Sequence, residues 1–125
     1  MTAVTFESVS KDWGGTTALH PTNLSLAAGQ FSVLLGPSGC GKTTTLRLIS
    51  GLETPSAGKI SIFGQDVTTV APSQRGVSMV FQNYALFPHL TVSENIVFGL
   101  RVRRVSNSVM ADRLKHVLDL LSLSK

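Results

Sequence analysis

Cysteine is almost absent from this chain of 125 residues: Cys40 stands alone. That excludes an internal disulfide and any Cys-x-x-Cys redox or zinc motif, and it fits a reducing compartment. Acidic residues are also scarce, with 7 Asp+Glu against 11 Lys+Arg, a formal charge of +4 and a pI near 9.7. Such a balance suits phosphate or nucleic acid. Yet only Arg101, Arg103 and Arg104 cluster, and no aromatic residues interleave with them as a base-stacking surface requires. The cluster reads as a solvated patch flanking a helix. His20, His89 and His116 lack metal-ligand spacing. Long apolar runs are missing too: those near Val33 to Leu35 and Leu120 to Leu121 are far too short to span a bilayer. Met1 to Glu7 lacks the basic and apolar regions of a signal peptide. A hydrophobic share of 42% and a mean hydropathy of +0.23 argue against disorder, and the length suits one core.

Apolar spacing then sets the expected elements. Thr2 to Ser10 alternates through Val4, Phe6 and Val9, Gly14-Gly15 marks a turn, and His20 to Ala27 continues at strand period, predicting antiparallel strands. Phe31 to Leu35 and Val77 to Phe81 are short continuous apolar runs, as in strands buried on both faces of an α/β sheet. Lys59 to Phe63 and Val67 to Val70 read as further strand. Thr45, Leu46, Leu48, Ile49 and Leu52 recur at helical spacing, with Gly51 as the stop. Thr91-Val92-Ser93-Glu94 is a capping box opening a helix through Ile96, Val97 and Leu100. Another helix starts near Ser106 to Ser108, with Met110, Leu114, Val117, Leu118 and Leu121 on its apolar face.

Between the run ending at Leu35 and the helix lies Gly36-Pro37-Ser38-Gly39-Cys40-Gly41-Lys42-Thr43, a full GxxxxGK[ST] match. Its glycines let successive N–H groups turn inward around an anionic phosphate. A helix beginning at Lys42 adds the positive end of its dipole. Lys42 then reaches the β and γ phosphates, the Thr43 hydroxyl ligates Mg²⁺, and Thr44 bonds the α phosphate. Cys40 has two readings: a thiol activated by the helix N-terminus and Lys42, or a small side chain filling an unconstrained loop position. The second is favoured.

With GPSGCGKTT at 36 to 44 and Gly76-Val77-Ser78-Met79-Val80-Phe81-Gln82-Asn83-Tyr84-Ala85-Leu86-Phe87-Pro88-His89-Leu90-Thr91-Val92, the chain resembles the ATP-binding subunit of an ABC transporter from end to end. In wording it is nearest to importers of carbohydrates, polyamines, ferric iron, sulfate or phosphonates. The resemblance implies an α/β P-loop NTPase fold of ABC ATPase type, with antiparallel strands and a Walker A strand-loop-helix. Residues 1–90 would then be a nucleotide-binding core portion and 91–125 the start of a helical subdomain. It implies ATP and Mg²⁺ as ligands, held by Gly36, Ser38, Gly39, Cys40, Gly41, Lys42, Thr43 and Thr44. It makes Gln82 the Q-loop glutamine, contacting Mg²⁺ and the attacking water. Gln82 also ends a predicted strand, where α/β sheets place ligand-contacting groups. Trp13 matches the aromatic that stacks on adenine, with a half-buried strand-end residue as the rival reading. Tyr84 to Val92 resembles the surface that receives transmembrane permease subunits; packing of the capped helix is the alternative. The resemblance also implies a second ATPase subunit in a homodimer, a solute-binding protein acting indirectly, and a cytoplasmic position, peripheral on the inner face of the cell membrane.

None of the acidic residues Glu7, Asp12, Glu53, Asp66, Glu94, Asp112 and Asp119 follows an apolar strand as a Walker B carboxylate would, and no LSGGQ signature or switch histidine is present. The 125 residues therefore read as roughly the first half of such a domain, expected to bind nucleotide without turning it over. A DNA-repair ATPase of the same superfamily and a non-catalytic fragment are the alternatives. Tyr84 to Val92 and the lack of a long coiled coil argue against the repair enzyme, and no nucleic-acid partner is expected. An unrelated P-loop GTPase would need an NKxD-type base-reading motif, which is absent.

Overall fold

The alternation through Val4, Phe6 and Val9 becomes β1 (Thr2–Trp13), which turns at Gly14-Gly15 into β2 (Thr16–Ala27), paired antiparallel. A computed structural model describes residues 1–124, which fall into two compact units, Met1–Met79 and the residues from Val80 onward. In the first unit β1 also pairs antiparallel with β3 (Ala57–Ile62), setting Val4 opposite Ile62 and Phe6 opposite Ile60. β3 continues into the short β4 (Gln65–Asp66), so the sheet order is β2-β1-β3-β4. Phe6, Val9, Leu19, Ile60, Ile62 and Val67 make the core, and α1 (Lys42–Ser50) adds Leu48 to it.

Three expected strands differ. Phe31 to Leu35 is irregular, with Phe31 95% and Leu35 88% exposed, and Val77 to Phe81 is irregular as well. A doubly buried strand exists only through neighbours on both edges, and the sheet pairs neither segment with anything among the described residues. The side of Phe31 to Leu34 instead borders an open cleft of about 410 Å³ shared with Lys42, Thr43 and Leu46. Val67 to Val70 is a turn, closed by the Val70 N–H donating to the Val67 carbonyl at 2.9 Å, while Val67 itself reaches the core. The helix α1 and its stop at Gly51 lie where the periodicity predicts, Gly51 taking a left-handed φ of 83°.

The second unit holds α2 (Val92–Val102) and α3 (Asn107–Leu120). Ile96, Val97 and Leu100 of α2 line a groove with Leu114 and Val117 of α3. The predicted capping box is complete: the Glu94 N–H donates to Thr91 Oγ1 at 3.2 Å, and the Thr91 N–H donates to Glu94 Oε2 at 2.8 Å. The Thr91 backbone N–H first, and then the Thr91 hydroxyl, hold the Glu94 carboxyl below its usual 4.5. A lowered folded-state value stabilises above the unfolded value and is lost as pH falls through the folded one. Thr91→Ala is therefore expected to cost α2 about 0.5–2 kcal/mol but to keep most of this acid-side loss, because the backbone N–H that bonds Glu94 Oε2 remains, whereas Glu94→Gln should abolish it. Urea unfolding followed by helix signal, at neutral pH and below the usual Glu range, checks both. Unchanged acid sensitivity in Glu94→Gln would place its origin elsewhere.

Candidate phosphate-binding loop

The Gly36 to Gly41 segment is an exposed loop tied by the Cys40 N–H donating to the Pro37 carbonyl at 3.3 Å. Gly41 closes it in a left-handed conformation, φ 93°, at the N-cap of α1. A Cβ there would stand 3.0 Å from the Ala18 carbonyl oxygen and 3.1 Å from Leu19 Cδ1, so both the angle and the space call for glycine. No side chain caps the helix, and its first backbone bond runs from the Thr45 N–H to the Gly41 carbonyl at 2.8 Å. The N–H groups of Lys42, Thr43 and Thr44 thus have no protein acceptor among the described residues.

Lys42 supplies the charge. Its ammonium donates to the Gly36 carbonyl at 2.5 Å and the Pro37 carbonyl at 2.7 Å, with Cys40 Sγ 3.5 Å away. The cation is held over the loop by carbonyls that a stronger acceptor can replace. Thr43 is exposed, Thr44 is half-buried, and Ser38 and Gly39 lie open on the loop. No acidic residue occupies the first turn of α1. This donor-only set fits a polyphosphate. No group of three or more His, Cys, Asp or Glu side chains gathers among the described residues, so a divalent cation here would draw its ligands from Thr43 and the phosphates themselves.

The sequence pattern of the ABC transporter family matches residues 19–125. The chain belongs to that family. Similar proteins include a spermidine/putrescine import ATP-binding protein of Thermobifida fusca, 47% identical over 97% of this chain and 33% of its own length. Others are an Fe(3+) ions import ATP-binding protein of Brucella abortus, 50% identical over 97% of this chain and 34% of its length, and an sn-glycerol-3-phosphate import ATP-binding protein of Ruegeria pomeroyi, 44% identical over 98% and 35%. The chain spans about a third of the length of these curated relatives.

In this ABC transporter chain the other predicted residues lie apart from the loop in sequence. Trp13 ends β1, 49% exposed, with the Lys11 ammonium 5.5 Å from its ring centroid. Lys11 is anchored by Glu53 at 2.7 Å and by the Thr54 carbonyl at 2.8 Å, and the bond from Lys11 chiefly holds the Glu53 carboxyl below its usual value. Gln82 is exposed in a turn of the second unit. Along Tyr84 to Val92, Phe87 packs on Phe98 with centroids 4.4 Å apart, whereas Tyr84 and Leu86 remain exposed. The Asn95 amide organises this loop, accepting from the Phe87 N–H at 2.9 Å and donating to the Phe87, Leu90 and Thr91 carbonyls.

Sequence reasoning missed Lys11 beneath Trp13, Asn95 behind the loop, and Arg75. The first two carry a weak signal, a cation two residues from an aromatic on one strand face and an amide four residues after a cap. Arg75 carries none: the helix end it serves is 26 to 27 residues away.

Proposed function

We propose that this chain is the nucleotide-binding portion of an ABC importer's ATP-binding subunit, and that it binds MgATP without hydrolysing it. The observation that carries the reading is the uncapped start of α1, where the N–H groups of Lys42, Thr43 and Thr44 and the Lys42 ammonium form a donor-only anion cradle. Gly36, Ser38, Gly39, Cys40 and Gly41 would wrap the phosphates, and Lys42 would exchange its two carbonyl partners for β and γ oxygens. Thr43 would hold Mg²⁺, which when bound neutralises phosphate charge. Trp13 is proposed to stack on adenine, its ring half exposed, and Gln82 to contact Mg²⁺ and water on the strength of the resemblance.

The expectation of binding without turnover has structural support in the first unit. Glu53 is committed to Lys11 and Asp66 to Thr68, leaving Glu7 and Asp12 as the unit's other carboxylates. Neither is placed by its sequence context to hold a metal and activate water. We further propose that residues 1–90 are the nucleotide-binding core portion and 91–125 the start of a helical subdomain. In the whole protein a second ATPase subunit would complete the site, permease subunits would dock on Tyr84 to Val92 and a solute-binding protein would act through them. The parent would then lie at the inner face of the cell membrane; no helix among the described residues is long and apolar enough to cross one. The relatives' named cargoes differ at nearly equal identity, 44% to 50%, so what is proposed here is nucleotide binding rather than a particular cargo.

Two residues that occur once make the test direct. Trp13 is the single tryptophan and Cys40 the single cysteine. MgATP is expected to quench Trp13 fluorescence and slow Cys40 alkylation, with phosphate release at background. Equal alkylation rates with and without MgATP would overturn the binding reading. Protection of Cys40 without quenching would return Trp13 to a strand-end role, and steady phosphate release would overturn the absence of turnover.

A further inference from the structure

Arg75 is the one charged side chain buried among the described residues, 7% exposed, and no carboxylate pairs with it there. Carbonyl dipoles take the carboxylate's place. Its Nη1 donates to Leu48 O at 2.8 Å and Ile49 O at 3.2 Å, and its Nε donates to Val70 O at 2.8 Å. Leu48 and Ile49 lie in the last turn of α1, whose carbonyls lack intrahelical donors, so Arg75 is a C-terminal cap delivered from a distant loop. Gly51 makes room for it: a Cβ there would stand 2.6 Å from Arg75 Nε and 2.9 Å from its Cζ.

The other end of the same helix carries Lys42, Thr43 and Thr44. α1 has nine residues, so it is about 13 Å long, and a tilt of only about 5° at one end moves the other by about 1 Å. The Leu48 side chain packs the last turn of the helix into the core, and the guanidinium fixes the carbonyls of that same turn. We propose that Arg75 is a positioning residue for phosphate recognition, fixing through Leu48 O, Ile49 O and Val70 O the direction in which the N–H groups at the start of α1 point. The proposal rests on the reading of the Gly36 to Thr44 loop as the ATP phosphate site.

Arg75→Gln and Arg75→Lys would be compared in the full chain with Ile60→Val, a core change in β3, at a temperature where all are folded. Arg75→Gln is expected to weaken MgATP binding about 3- to 30-fold. It should also change the rate of Cys40 alkylation without nucleotide. Arg75→Lys, which keeps the charge but not the planar fork, should fall between it and the parent. Ile60→Val should lower the melting temperature yet leave both readouts as in the parent chain. Unchanged affinity and unchanged Cys40 reactivity in Arg75→Gln, despite a lower melting temperature, would make Arg75 a local cap and overturn the proposal. If Arg75→Gln does not fold, Arg75→Lys decides by the same two readouts. If neither the parent chain nor Lys42→Ala binds MgATP, the ATP reading fails by itself. The nucleotide-free Cys40 rate then judges the positioning role: changed in the Arg75 variant supports it, unchanged overturns it.

Discussion

Replacing Lys42 with alanine is expected to weaken MgATP binding by about 10- to 150-fold, since a hydrogen bond to a charged group carries about 1.5–3 kcal/mol and each 1.4 kcal/mol is tenfold. The stability of the fold should hardly change. The ammonium bonds two carbonyls of an exposed loop, Gly36 and Pro37, and both can turn to water when it is removed. The loop would keep its glycine geometry and its helix N-terminus, so the loss isolates the point charge from the N–H cradle. Lys42→Arg should restore little, because a planar guanidinium cannot occupy the position of a compact ammonium between two carbonyls of one turn. Titration calorimetry with MgATP, paired with a melting curve for each variant, reads both quantities. Parent-like affinity in Lys42→Ala would remove the loop from the phosphate site.

The largest effect on stability is expected from Leu48→Ala, at about 2–5 kcal/mol out of the roughly 5–15 kcal/mol typical of a folded domain. Leu48 is 0% exposed and is α1's contribution to the cluster of Phe6, Val9, Leu19, Ile60, Ile62 and Val67. Truncation removes the transfer free energy of the side chain and opens a cavity beneath a helix of nine residues, too short to persist without its packing. Nucleotide binding should therefore disappear together with the fold of the first unit. Leu46 on the same helix is 47% exposed, and Leu46→Ala is expected to stay within about 0.5 kcal/mol of the parent chain. Urea unfolding of the two variants side by side checks the contrast, and equal losses would mean that α1 does not sit on the sheet by its Leu48 face.

What could be read from the sequence were features whose physics is local. The left-handed angle at Gly41 and the stop at Gly51 need glycine at those positions, the Thr91/Glu94 box spans three residues, and the helical spacing of α1 and α3 repeats within a turn. β1 and β2 were legible because a short turn joins strands that pair with each other. Phe31 to Leu35 and Val77 to Phe81 have equally strong local patterns, yet their conformation depends on neighbours to accept and donate backbone bonds, and the four-stranded sheet offers them none. An apolar run records that a segment suits burial; the burial itself belongs to the surrounding chain.

The candidate site divides in the same way. The proposed phosphate site is legible in the chain's own letters, because glycine angles, a helix start and one lysine act over eight consecutive residues, 36 to 43. They determined the family as well, through GPSGCGKTT and the segment around Gln82. Tertiary structure alone decided what anchors the elements around it: Leu48 in the core and Arg75 on the last carbonyls of α1, and Lys11 beneath Trp13 at the end of β1. Each of these depends on partners that meet only once the chain has folded, since the strength of a buried contact lies in the desolvation and geometry of both groups together.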